Sequence, residues 1–310
     1  MSDAAVASPE TLAEVLASPR PQPRERKRVL VTGASGMLGA DVTTVLAGAG
    51  MTVFARPQSD LDITDPGALD RAFHQLRPEV VINCAAFTKV DACETNPEAF
   101  AVNAQAVESL AERCLRDEVQ LVQVSTDFVF DGTKRTPYTE RDPPAPLSEY
   151  GRSKHRGETA ALTVPGGLVV RSSWLFGLSG WNFIEAILKQ VEEGKKRLTV
   201  VFDQRGRPTA TPDLAEAILA LMDAGASGVC HFANRGEISW LDFARVILDF
   251  SGHADVEVEP IDAVSLGRPA KRPAYSVLDT SRYETLTGRT IRHFTSPLAE
   301  YLLRRRRPEA

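Results

Sequence analysis

The 310-residue chain is 43% hydrophobic and 25% charged, enough apolar material for one large core or two smaller ones. Its net charge of -5 gives no basic footprint for nucleic acid, and no apolar run approaches the ~20 residues a membrane span needs. Residues 1–27 mix Ala, Pro, Arg and Glu without an apolar stretch, which excludes a signal-peptide pattern and predicts a disordered leader. Arg28-Val-Leu-Val31 then predicts a buried strand stopping at Thr32-Gly33, and residues 36–49 a helix. A second short strand falls at Met51–Ala55, a helix at Leu69–Leu76 with Pro66 near its start, and a third strand at Val80–Asn83. Ala99–Leu115 has helical spacing, Leu121–Val124 reads as a fourth strand, Leu168–Arg171 as a further strand and Phe183–Val191 as a helix. Beyond that the pattern loses regularity, and Arg304–Arg307 reads as a basic frayed end.

Strands alternating with helices predict βαβ units with right-handed crossovers, and apolar strands without polar alternation fit a sheet covered on both faces. Gly33-Ala-Ser-Gly36-Met-Leu-Gly39 sits between the first strand and the first helix. Glycines there allow a tight turn, close approach of a phosphate to the helix N–H groups, and close helix–strand packing. The context points to a dinucleotide. The fold class is therefore α/β: a doubly wound parallel sheet of the Rossmann type with a smaller C-terminal substrate-binding region. The expected division gives the NAD(P)-binding part to 28–176, with a return segment about 205–232, and the substrate-binding region to 177–204 and 233–310.

The residue ending the second strand reads the adenosine ribose: an acid favours NAD, an arginine a 2′-phosphate. Arg56 is there, and Asp60 and Asp62 come later. This points to NADPH, with NADH left open by an Arg56 that faces solvent. Cys84, Cys93, Cys114 and Cys230 form no CxxC pair and have no histidine at ligand spacing, which predicts reduced structural thiols, a cytoplasmic setting and no metal.

Tyr150-Gly-Arg-Ser-Lys154 places a tyrosine and a lysine one helical turn apart. Reducing a ketone needs a proton on its oxygen as hydride reaches carbon, and an ammonium beside a phenol favours its ionisation. Ser125-Thr126-Asp127 directly follows the fourth strand, where open α/β sheets bind ligands, so the Thr126 hydroxyl is placed to orient a carbonyl. Thr126, Tyr150 and Lys154 form the candidate catalytic group.

Together these motifs resemble the extended short-chain dehydrogenase/reductase superfamily. The stretches at 81–88, 90–94, 102–104, 125–132 (Ser-Thr-Asp-Phe-Val-Phe-Asp-Gly), 137–140, 150–154, 171–177, 182–183, 203–209 and 272–273 resemble the dTDP-4-dehydrorhamnose reductases, over about residues 28–300. The resemblance implies NADPH-dependent reduction of the C4 ketone of dTDP-4-dehydro-β-L-rhamnose to dTDP-β-L-rhamnose, in bacterial polysaccharide synthesis. It implies that Gly36, Met37 and Leu38 lie on the cofactor phosphates, that Asp62 and Ile63 flank the adenine, and that Ala86, Phe87 and Thr88 line the cofactor near the active site. Thr126, Asp127 and Trp174 would contact the sugar nucleotide. Trp174 reads equally well as a buried core aromatic. The chain departs from the family at Phe128, often tyrosine, and at Arg56, often acidic. Some members are dimers joined through magnesium and glutamates. None of those glutamates is matched here, so no metal is expected and a homodimer stays open. Alternatives are a reductase of another dTDP-4-keto sugar, an epimerase or dehydratase of the same superfamily, and a non-catalytic subunit similar to the methionine adenosyltransferase β subunit.

Overall fold

Apolar segments of four to seven residues build the centre of the molecule. The computed structural model describes residues 27–305, so apart from Lys27 the expected leader lies outside the described residues. β1 (Arg28–Thr32), β2 (Thr52–Arg56), β3 (Val80–Asn83), β4 (Gln120–Thr126), β5 (Leu168–Ser172) and β6 (Gly228–His231) form one sheet in the order β2-β1-β3-β4-β5-β6. Every neighbouring pair is parallel. Both faces are buried, which explains why the strands lack alternation. Val29, Val31, Val80 and Ile82 face α1 (Met37–Gly48) and a later helix at Thr211–Asp223. Leu30, Val81, Leu121 and Val169 face Leu69 and Phe73 of α2 (Pro66–Leu76), Leu110 of α3 (Ala106–Arg116) and Ala161 of α4 (Glu149–Ala161). From β1 the chain goes outward to β2 and then returns to the other side of β1. The carboxyl ends of β1 and β3 thus flank the switch point where such sheets bind ligands.

The helix expected over Ala99–Leu115 is interrupted. A turn at Glu98–Phe100 leads into a π-helical turn at Ala101–Gln105 before α3 begins. The cause is Asn103, whose carboxamide accepts from Phe87 N at 2.8 Å and donates to Phe87 O at 2.9 Å. Such bulges are frequent at functional sites.

The second half has its own apolar core. Phe176, together with Ile184 and Leu188 of α5 (Phe183–Glu192), packs with Phe243 and Ile247 of α6 (Trp240–Ser251) and with Leu298 and Leu302 of α7 (Thr295–Arg305). Arg197–Val201 pairs in parallel with Glu257–Ile261, and other short ladders brace the region. The basic end is not frayed at Arg304 and Arg305, which complete α7. Arg305 donates to Glu185 at 2.8 Å and Glu192 at 2.8 Å, and cations there also suit the helix C-terminus. Arg306 and Arg307 lie outside the described residues.

Candidate active site

The glycine turn is shaped by what cannot fit. Gly33 has φ +63°, and a Cβ there would lie 2.6 Å from Ala85 N. A Cβ on Gly39 would lie 2.2 Å from Gly33 O. Gly36 caps α1 without a side-chain hydrogen bond, and the first turn carries no acid. The N–H groups of Met37, Leu38 and Gly39 therefore have no side-chain cap and are available to an anionic ligand. Beside the turn is a cavity lined by Gly33, Gly36, Asp62, Ile63, Ala86 and Phe87, with Gln58, Leu61 and Val102 among the rest. Six of the expected cofactor residues thus converge, and the cradle fits a dinucleotide. Asp62 is exposed and accepts from Thr64, while Ile63 is buried. Thr88 is exposed and lies outside the lining. Arg56 is half-buried at the end of β2, and its carbonyl accepts from Ala34 N of the turn. Among the described residues its guanidinium has no carboxylate partner. A larger cavity, about 590 Å³, lies between the outer faces of α3 and α4 and holds none of these residues.

The catalytic candidates meet at the end of β4. Ser148, two residues before Tyr150, caps α4 by accepting from Gly151 N at 3.2 Å. Thr126, Tyr150 and Lys154 are all buried. Thr126 Oγ1 donates to Asp127 Oδ1 at 3.1 Å, and Lys154 Nζ donates to Val124 O at 2.7 Å. Phe128 meets the Tyr150 ring edge-on, centroids 5.5 Å apart. The electrostatics differ from expectation. Burial pushes the Tyr150 phenol above its ordinary range; a hydrogen bond to Thr126 opposes this, and the Asp127 carboxylate adds to it. Among the described residues the Lys154 ammonium hydrogen-bonds Val124 O and not the phenol. Burial lowers Lys154 itself to about 8. Asp127, fully enclosed, is raised to about 6 by burial against hydrogen bonds from Ser276 and Thr126.

Ser276 brings the opposite wall to this point by donating to Asp127 Oδ2. Trp174 follows β5 with φ +50°, rare for a bulky residue. It is half-buried and stacked on Trp240, ring centroids 3.5 Å apart, so it is not an enclosed core aromatic. A Cβ on Gly206 would lie 2.4 Å from the Trp174 indole. Asp91 accepts from Arg272 at 3.0 Å and Arg268 at 3.1 Å, which ties the edge of the cofactor side to the other wall.

Two residues escaped the sequence reading. Asn103 also donates to Ser153 Oγ at 3.1 Å, so it links the Phe87 loop to α4; its Val-Asn-Ala motif was the available signal. Arg207 is half-buried, and its Nε is enclosed without a hydrogen-bond partner among the described residues. Burial lowers its pKa although Asp279 lies near. The Asp203–Thr209 stretch marked the segment but not this side chain.

The chain matches the RmlD substrate binding domain over residues 27–307. It is 41% identical over 286 residues to a dTDP-4-dehydrorhamnose reductase from Streptomyces griseus, covering 90% of this chain and 94% of that protein. It is 39% identical over 276 residues to a dTDP-4-keto-6-deoxy-D-glucose reductase from Streptomyces niveus, covering 88% and 96%. A solved dTDP-4-dehydrorhamnose reductase from Bacillus anthracis in complex with NADP superposes with a TM-score of 0.85 at 32% identity, covering 90% of this chain and 99% of that one. With its Rossmann sheet, glycine turn and buried Thr–Tyr–Lys group, the chain belongs to the dTDP-4-dehydrorhamnose reductase family.

Proposed function

We propose that the protein reduces the C4 ketone of dTDP-4-dehydro-β-L-rhamnose to dTDP-β-L-rhamnose with NADPH. The observation that carries this is the convergence of an uncapped glycine turn and a buried Thr126–Tyr150–Lys154 group at the carboxyl ends of β1, β3 and β4. The Streptomyces griseus relative is named for this activity, and the Bacillus anthracis structure holds NADP.

Gly33, Gly36, Met37, Leu38 and Gly39 hold the pyrophosphate, Asp62 and Ile63 the adenine, and Ala86, Phe87 and Thr88 the nicotinamide side. Arg56, with no carboxylate to satisfy, takes the 2′-phosphate. When bound, NADPH supplies the hydride that reduces the ketone. Thr126 orients the carbonyl oxygen towards Tyr150. Tyr150, kept protonated by burial, gives its proton to that oxygen as negative charge develops there. Lys154 holds the nicotinamide ribose, and its ammonium balances the phenolate left behind. Trp174 and Asp127 contact the sugar nucleotide, and Arg207 pairs with its diphosphate. The proposed division of labour gives 28–176 and the return segment about 205–232 to the coenzyme, and 177–204 with 233–310 to the sugar nucleotide. Four unpaired cysteines support a cytoplasmic setting, and among the described residues no helix is long and apolar enough to cross a membrane.

The Streptomyces niveus relative favours a second reading, reduction of dTDP-4-keto-6-deoxy-D-glucose. NADPH oxidation with a panel of dTDP-4-keto sugars separates the two. Fastest turnover of dTDP-4-dehydro-β-L-rhamnose is expected. A higher kcat/KM for another sugar reassigns the substrate, and no oxidation with any of them overturns the reductase reading.

A further inference from the structure

Helix α4 carries a third buried ionisable residue that the chemistry above leaves without a task. Tyr150, Lys154 and Glu158 follow one another at i, i+4 and i+8, so they share one face. Glu158 is 1% exposed. A buried carboxylate needs a closely matched partner, and Arg171 of β5, 3% exposed, supplies one. Its Nε and Nη2 donate to the two carboxylate oxygens at 2.8 and 2.7 Å. The guanidinium is fixed in turn over the Phe130 ring at 5.1 Å and lies 3.4 Å from His231 Nε2. Burial holds His231 at about 3, so it stays neutral.

Lys154 needs an opposite charge. Among the described residues its ammonium has one hydrogen-bond acceptor, Val124 O, and burial works against its charged form. The ionisable groups around it are Tyr150 and Glu158 on its own helix and Cys84 just beyond β3. Glu158 is the charged group that favours the ammonium, whereas Cys84, pushed up to about 12 by burial, stays a neutral thiol. Arg171 of β5 and His155 of α4 engage Glu158 instead, and His231 of β6 reaches only Arg171.

We propose that Glu158, clamped by Arg171, is a positioning residue that keeps the Lys154 ammonium charged and seated on the Val124 carbonyl during turnover. This rests on the reading of Lys154 given above. Without the carboxylate, the buried amine loses its proton at lower pH, and a neutral amine cannot balance the phenolate that Tyr150 leaves. Arg171 keeps Glu158 ionised and stops it from swinging towards the lysine.

The test is the pH profile of kcat/KM for NADPH-dependent reduction in five proteins: the parent, Glu158→Gln, Glu158→Asp, the double variant Glu158→Gln/Arg171→Met and Lys154→Met. The double variant leaves neither member of the ion pair buried alone, so it stays informative where Glu158→Gln alone fails to fold. The parent is expected to lose activity as pH rises through about 8. In Glu158→Gln that limb moves down by about one pH unit, a roughly tenfold loss on the alkaline side, and in the double variant, which also removes the opposing Arg171 charge, it moves down by less. Glu158→Asp restores part of the shift. A folded double variant with an unmoved limb, or with a loss equal at every pH, overturns the proposal. If Lys154→Met keeps both the activity and the limb, the reading of Lys154 itself fails, and the Glu158 variants are not needed to show it.

Discussion

On the sheet side of the cleft, backbone forms the ligand surface. Gly33 and Gly39 leave no room for a Cβ, and free N–H groups of α1 point outward. Across the cleft, from Trp174 to Ser276, side chains do the shaping. Two indoles stack, Gly206 lies flat beneath one of them, and Ser276 reaches over to Asp127. The first surface suits a ligand shared by many proteins, because a peptide turn recognises phosphate by geometry. The second suits a ligand particular to this family, because it can change one side chain at a time. The substitutions that follow test that contrast.

Tyr150→Phe breaks the chemistry where the two surfaces meet. It is expected to lower kcat by about 10²-fold or more while coenzyme affinity stays unchanged. Turnover near the parent rate, measured by NADPH oxidation, removes Tyr150 as proton donor. Gly39→Ala forces a methyl onto the Gly33 carbonyl and should raise the NADPH dissociation constant by about tenfold, about 1.4 kcal/mol, with the KM for sugar nucleotide little changed. Gly206→Ala is the mirror experiment. It pushes the Trp174 indole and should raise the sugar-nucleotide KM several-fold while fluorescence titration shows NADPH binding as in the parent. Equal effects of both alanines on both ligands would erase the distinction between the two walls. Arg56→Asp has the smallest effect. A charge pair still open to solvent contributes about 1 kcal/mol or less, so the ratio of NADPH to NADH affinity should fall by about fivefold. An unchanged ratio means that Arg56 faces solvent.

The same contrast explains what could be read from the sequence. β3 spans Val80–Asn83 as expected, and β1, β2, β4 and β5 differ from expectation by a residue or two at their ends. Strand burial is written in adjacent residues, so a local pattern suffices. The glycine turn and the Tyr150–Lys154 pair are also local in sequence. The π turn was not legible, because it depends on Asn103 meeting Phe87, 16 residues away. Neither was the electrostatic balance at Tyr150, since helical spacing cannot show that the Val124 carbonyl, 30 residues from Lys154, accepts a hydrogen bond from its ammonium. Arg207 belongs to the same class: its isolation is a fact about residues far along the chain.

One buried row of polar groups has a consequence for folding quality. Thr32 Oγ1 donates to Asn83 Oδ1 at 2.6 Å, Asn83 Nδ2 to Gln123 Oε1 at 2.8 Å, and Gln123 Nε2 to Val124 O at 2.8 Å. It runs across β1, β3 and β4 and ends on the carbonyl that anchors Lys154. A strand slipped by one residue would turn these polar side chains to the other face and strand their hydrogen bonds. The glycine turn follows Thr32 directly, so the same slip would dismantle the phosphate cradle. Coenzyme capture therefore reports sheet register, and an immobilised nucleotide column should sort correctly paired molecules from mispaired ones in a refolding mixture.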